Sequence, residues 1–229
     1  MKVHALIMAA GSGERFAGET PKQLRLLVDR PLVAWSIQRL ASSSRIDGIV
    51  VVAAPGGEEA MLTSLAGTAL DAVGRIVAGG ERRQDSVRLG LGAIPDGATH
   101  VLIHDAARPC LSGDLLERIV DALSGEDAVV PVAPAVDTLV RTMDGHVDAV
   151  IDRANVGHVQ TPQAFELGVI RAAHERAHET GLDASDDGTL VLAMGQRVAA
   201  VAGEHRNIKV TYPDDLVVAE AILRQGEAT

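Results

Sequence analysis

Five short runs of almost unbroken apolar, largely β-branched residues limit this fold more than any other feature: 3–8 (VHALIM), 49–53, 75–78, 101–104 and 128–132. They do not alternate apolar with polar residues, and that fits strands covered on both faces. Between them lie segments with helical spacing. One starts at Pro31 and places Leu32, Trp35, Ile37 and Leu40 along one buried side. Another spans 84–91, and a third follows Ser112 with Leu115, Leu116, Ile119, Val120 and Leu123. The alternation predicts an α/β fold: a single Rossmann-like domain over 1–229 with a mostly parallel twisted sheet flanked by helices. A chain of 229 residues buries enough core to need no metal or disulfide staple. Later elements read as a return through 157–162, a helix over 165–179, a short helix over 186–194, a strand over 197–201 and a last helix over 214–224.

One stretch breaks the pattern. Residues 136–153 read VDTLVRTMDGHVDAVIDR, two β-compatible arms around Asp144-Gly145. An Asp-Gly pair between such arms predicts a hairpin. Its flanks carry too few large apolar groups for the core, so it reads as an inserted, projecting β-arm, with an edge strand as the ordinary alternative. A projecting hairpin is marginal in water and needs a partner surface, most simply a second copy of the chain.

The charge balance, 21 − 31 = −10, and only four aromatics (Phe16, Trp35, Phe165, Tyr212) argue against a general binder of nucleic acid or membrane surface. An anionic ligand must therefore meet a local gathering of basic groups. The lone Cys110 suits a reducing compartment and reads as an ordinary buried residue. Residues 1–10 do not read as a signal peptide, because the apolar run is short, His4 interrupts it, and a polar loop follows. The expected location is the cytoplasm.

The first run leads into Ala9-Ala10-Gly11-Ser12-Gly13-Glu14-Arg15-Phe16, followed by Thr20-Pro21-Lys22-Gln23. A glycine-rich turn after a strand lets backbone N–H groups approach a phosphate closely. The dinucleotide fingerprint fails, since Phe16 stands where its third glycine belongs; the phosphate-loop pattern fails at Glu19, which replaces its lysine. Of 21 basic residues only Lys2, Lys22 and Lys209 are lysine, and two of these fall in distinctive motifs. Lysine supplies a compact charge that arginine does not reproduce. A second strand end carries GGERRQDSV (79–87), in which Ser86 either caps the helix or meets a ligand. A third carries HDAARP (104–109), where an aspartate can hold a hydroxyl or a divalent cation. His174 and His178 share a helix face but lack a third zinc ligand, and Asp183, Asp186 and Asp187 read as acids at a helix N-terminus.

Taken together, the glycine loop with Arg15 and PKQ, then GGERRQDSV, HDAARP, Thr161-Pro162-Gln163 and NIKVT (207–211), resemble the 2-C-methyl-D-erythritol 4-phosphate cytidylyltransferase family of the non-mevalonate isoprenoid route. The resemblance implies transfer of CMP from CTP to a sugar-alcohol phosphate with release of pyrophosphate, Mg2+ as the only cofactor, and a homodimer that exchanges arms. It implies that Arg15 and Lys22 stabilise the transition state around the triphosphate, and that Arg153 and Lys209 position the acceptor phosphate. Ala9, Ala10, Gly11, Gly13, Gly80, Glu81, Ser86, Asp105 and Ala106 would form the nucleotide site. Arg108, Thr138, Arg153, Thr161 and Ser185 would form the acceptor site, with Asp105 meeting either ribose or metal. The family usually has threonine where Ser185 stands. Two other readings compete: a cytidylyltransferase for another polyol phosphate such as ribitol 5-phosphate, and a nucleotide-binding regulator without activity.

Overall fold

The computed structural model describes residues 1–11, 13, 15–16 and 20–227. Ser12, Glu14 and 17–19 of the glycine-rich loop lie outside the described residues. The first apolar run forms β1 (Val3–Ala9), buried throughout. A tight ribbon, β2 (Leu26–Leu27) and β3 (Arg30–Pro31), leads into α1 (Leu32–Ala41), with Pro31 at the N-cap, one residue before its expected place inside the helix. Then come β4 (Gly48–Ala53), α2 (Glu58–Leu65), β5 (Arg75–Ala78), α3 (Arg83–Gly92), β6 (His100–Asp105) and α4 (Gly113–Leu123). Ser112 caps α4, its Oγ accepting from Leu115 N at 3.0 Å. The second half holds β7 (Ala128–Pro134), β8 (Leu139–Met143), β9 (His146–Ile151), β10 (Gly157–Val159), β11 (Gln163–Glu166), α5 (Leu167–Thr180), α6 (Asp187–Ala193), β12 (Ala199–Ala202) and α7 (Pro213–Glu227).

Among the described residues, eight strands make one sheet, in which β5, β4, β1 and β6 are neighbours running parallel. β11 lies between β6 and β7, antiparallel to both, so β6 and β7 share a direction; β12 pairs parallel to β7 and β10 pairs antiparallel to it. Six of the eight strands thus run one way, and the mostly parallel α/β sheet is as expected.

The register explains the unbroken apolar runs. Val3, Ala5, Ile7 and Ala9 of β1 pack with Val33 and Ile37 of α1, Met61 of α2 and Ile119 of α4. Leu6 and Met8 face the other way, toward Val87 and Leu91 of α3, Ile170 of α5 and Leu190 of α6. Each fully buried Leu or Ile contributes about 1.5–3 kcal/mol, so replacing one with a polar residue is costly on either face. A third cluster joins Phe16, Leu27, Leu32, Cys110, Val210 and Ala219 beneath the glycine-rich loop. Burial pushes the Cys110 thiol up to about 11, which fits a packed, unreactive residue.

Several elements differ from the sequence pattern, the β2–β3 ribbon and strand β10 among them. Residues 163–166, partly assigned to the start of a helix, are strand β11, and the helix begins at Leu167. Phe165 is fully buried opposite Val101 and Ala128, so pairing on both edges outweighs its helical spacing. Glu166 then caps α5, its Oε2 accepting from Val169 N at 2.7 Å. Helix α2 was not expected from the sequence; it buries only Met61 and Leu65, too little for a clear periodic signal.

The 136–153 stretch is a projecting hairpin. Among the described residues β8 and β9 pair only with each other, and Asp144 and Gly145 turn with φ of 50° and 78°, the left-handed region that Gly favours. Val140, Met143, Val147, Val150 and Ile151 all stand exposed on it. No helix among the described residues is long and apolar enough to cross a membrane.

Candidate active site

Parallel strands deliver their C-terminal ends to one edge of the sheet, where ligands bind in open α/β sheets. There β1, β5 and β6 open into a cleft of about 650 Å³. It is lined by Ala10, Gly11, Gly13, Arg15, Lys22, Gly80, Glu81, Arg83, Ser86, Asp105 and Lys209, among others.

The glycine-rich loop is shaped by Gln23, a nearly fully buried residue that sequence reasoning gave no role. Its Nε2 donates to Ala9 O at 2.5 Å and to Gly11 O at 2.6 Å, pinning the loop where it leaves β1. Lys22 Nζ donates to Val210 O at 2.7 Å. Burial lowers the Lys22 pKa, and repulsion from Lys209 and Arg15 adds to that, with Asp105 opposing. An ammonium held among other cations attracts an incoming polyanion strongly. The Arg15 guanidinium lies 5.8 Å from the centre of the Tyr212 ring, which steadies it.

The loop after β5 packs directly against the first. A Cβ on Gly79 would stand 2.6 Å from Ser86 Oγ and 2.8 Å from Ala10 Cβ, so the approach requires glycine. Ser86 does not cap α3; Arg82 is the N-cap and makes no side-chain cap bond. Instead the Ser86 hydroxyl accepts from Gly80 N at 3.0 Å and donates to Arg82 O at 3.0 Å, fixing the Gly-Gly loop.

At the end of β6, Asp105 Oδ2 pairs with Lys209 Nζ at 2.7 Å and Oδ1 faces Arg83 Nε at 3.4 Å. Burial would raise the Asp105 pKa, but Arg83 and Lys209 more than offset it and hold the carboxyl well below the usual range. Its backbone N–H donates to Thr161 Oγ1 at 3.0 Å. The Thr161 hydroxyl can then donate to His104 Nδ1 at 3.1 Å, and His104 Nε2 to Arg108 O at 3.2 Å. This chain suits a neutral imidazole, and burial lowers the His104 pKa to about 4.

The cleft therefore unites Arg15, Lys22, Lys209 and Asp105 with both glycine loops. Ala9 and Ala106 are buried at the strand ends beneath it. Thr161 is buried as a support for Asp105, and Arg108 is held by Asn207 O at 2.7 Å; neither lines the cleft. Thr138 and Arg153 stand exposed at the base of the arm, where Arg153 donates to Val136 O, and Ser185 is exposed before α6. Within one chain these three do not line the cleft. His174 meets Asp187 instead of pairing with His178, and Asp186 caps α6 by accepting from Thr189 N at 2.8 Å. No group of three or more His, Cys, Asp or Glu among the described residues is arranged to hold a metal.

The model of the family described as IspD, 2-C-methyl-D-erythritol 4-phosphate cytidylyltransferase, matches residues 3–225. A relative of that name from Pelotomaculum thermopropionicum is 40% identical over 229 residues, covering 98% of this chain and 96% of its own. Another from Syntrophus aciditrophicus is 36% identical, covering 99% and 97%. The crystal structure of the Thermus thermophilus protein of that name superposes with a TM-score of 0.82 at 37% identity, covering 98% of this chain and 100% of the other.

Proposed function

Because this chain belongs to the 2-C-methyl-D-erythritol 4-phosphate cytidylyltransferase family, we propose that the cleft between the two glycine loops is where its reaction takes place. The chain is a cytidylyltransferase that transfers CMP from CTP to the phosphate of 2-C-methyl-D-erythritol 4-phosphate in the non-mevalonate route to isoprenoid precursors, releasing pyrophosphate.

An oxygen of the acceptor phosphate attacks the α-phosphorus of CTP. The new P–O bond forms as the bond to the bridging oxygen breaks, and pyrophosphate leaves with that electron pair. A phosphate monoester, with a second pKa of about 6, is largely dianionic at neutral pH and needs no strong base. The barrier lies in bringing two anions together, so positioning and cationic stabilisation dominate. Arg15 and Lys22 take the triphosphate, and Lys209, with Arg153, takes the acceptor phosphate. Ala9, Ala10, Gly11, Gly13, Gly80, Glu81, Ser86 and Ala106 frame the cytidine through backbone groups.

The observation that carries this reading is the gathering of Arg15, Lys22 and Lys209 in one cleft of a chain whose net charge is −10. Asp105 is the residue that would hold Mg2+. A single ionised carboxylate fits an ion that arrives on phosphates and keeps most of its waters. When bound, the ion neutralises part of the triphosphate charge.

The arm is read as the device that joins two copies. Its exposed Val147 and Val150 need cover, and Thr138 and Arg153 reach a cleft only if that cleft belongs to a second subunit; with Thr161 and Ser185 they would then complete the acceptor site beside Arg108. The reducing-compartment composition supports a cytoplasmic enzyme. Pyrophosphate release with CTP and either methylerythritol phosphate or ribitol 5-phosphate tests the assignment. Faster turnover of methylerythritol phosphate is expected. Preference for ribitol phosphate would overturn the acceptor, and CTP binding with no release on either would leave a regulator.

A further inference from the structure

From the core to the cleft wall, charges alternate along a string whose inner members, His174, Asp187 and Arg83, the reaction as described leaves unused. The side chains of His174 on α5 and Asp187 at the start of α6 are each 1% exposed, with His174 Nε2 3.0 Å from Asp187 Oδ1. A carboxylate only accepts, so Nε2 donates. Asp187 Oδ2 lies 2.8 Å from Arg83 Nη2, a close ion contact that is not an aligned hydrogen bond. Arg83 opens α3 and turns Nε and Nη2 toward Asp105 Oδ1 at 3.4 and 3.5 Å. Lys209 holds the other oxygen of Asp105 from the solvent side, with 45% of its side chain exposed against 11% for Asp105.

Asp105 thus has two cationic partners of different kinds. Lys209 is a point charge on a flexible stem and can swing toward an acceptor phosphate. Arg83 is a planar fork clamped between two carboxylates, with one anchor fully enclosed. If Lys209 leaves, Arg83 is the cation of the chain that still faces the buried carboxylate, whose charge would otherwise be costly.

We propose that Arg83, anchored from behind by Asp187 and His174, is a positioning residue that keeps Asp105 in place while Lys209 is released to the acceptor phosphate. The string therefore lets one cation of the cleft move without disturbing the carboxylate. Burial alone would raise both carboxyl pKa values, yet Arg83 between them, with Lys209 and His174 at the ends, holds both below the usual range. The inference rests on the reading that Asp105 and Lys209 belong to the reacting cleft.

The test is a double-mutant cycle on the full chain, with Asp187→Asn and Asp105→Asn made singly and together. Turnover and KM for CTP are measured by pyrophosphate release, and the folded fraction by circular dichroism. Asp187→Asn is expected to lower kcat about 10- to 100-fold while KM for CTP moves less than about threefold. Added to Asp105→Asn it should cost nothing further, because both act through one carboxylate. Wild-type kcat in Asp187→Asn, or an undiminished loss in the Asp105→Asn background, would overturn the inference. Full turnover in Asp105→Asn would instead overturn the reading of the cleft. Should Asp187→Asn not fold, Arg83→Lys takes its place in the same cycle, since it keeps the charge and loses the fork. It is expected to show the same loss and the same absence of additivity, and full kcat in that variant would overturn the inference.

Discussion

Lys22, Lys209 and Asp105 stand where strands of the central sheet end, each held by contacts within the chain, whereas Thr138 and Arg153 flank a two-stranded ribbon whose Val147 and Val150 are 64% and 70% exposed. The cleft inherits its precision from β1 and β6, which are buried between two helical layers. The arm has no such backing, and an isolated hairpin of this size is marginal by itself. On the proposed reading, the chain builds the nucleotide half of the site alone and leaves part of the acceptor half on an arm that a second copy would cover. Lys22→Ala should cut kcat about 10²- to 10³-fold with the fold intact, as measured by pyrophosphate release, because its proposed role is to act through charge in the cleft; near-normal turnover would place the chemistry elsewhere.

A smaller effect distinguishes the two regions by acid. His104 titrates near 6.5 unfolded and about 4 folded, so the unfolded chain binds more protons between those values. Its contribution is complete above pH 6.5 and is lost as the pH falls through 4, about 3 kcal/mol or roughly 10²-fold in the folding equilibrium. Urea midpoints at pH 7 and 4.5 should differ less in His104→Gln than in the wild type. An unchanged difference would mean that His104 is not the group responsible.

The arm should respond differently again. Val150→Asp places a charge on its exposed apolar face and, if the arm joins two copies as proposed, should turn a dimer into a monomer in light scattering, with turnover falling about tenfold at micromolar protein. A stable dimer with full turnover would show that the arm is not the joint. The mildest expected signal comes from mixing Lys22→Ala with Arg153→Ala. If arms cross, random exchange leaves one site in four without either lesion and about a quarter of wild-type activity returns. No recovery after verified exchange would put Arg153 in its own chain's site.

Much of this was legible in the residues. Runs such as VHALIM announce strands covered on both sides, and the rarity of lysine pointed to Lys22 and Lys209, which the fold brings to one cleft. Strand β11 was not, because four residues ending in a helix cap carry no period of their own and take their shape from β6 and β7. Ser86 hid its role for a similar reason: whether a hydroxyl in a first turn caps, binds or braces depends on where the neighbouring loop runs. Arg83 and Asp187 lie far apart in the chain, and each looks like an ordinary charge at a helix start until the sheet sets them 2.8 Å apart.

The insertion of β11 between two strands made earlier in the chain has a consequence for how the molecule is born. As it leaves the ribosome, β6 has no neighbour on that side and β7 has no bridge to it until residues 163–166 arrive. The segment that closes the gap also brings Thr161 under Asp105, so the floor of the cleft is finished by late chain. A nascent fragment ending before that point carries two raw sheet edges, the kind of surface that chaperones must shield.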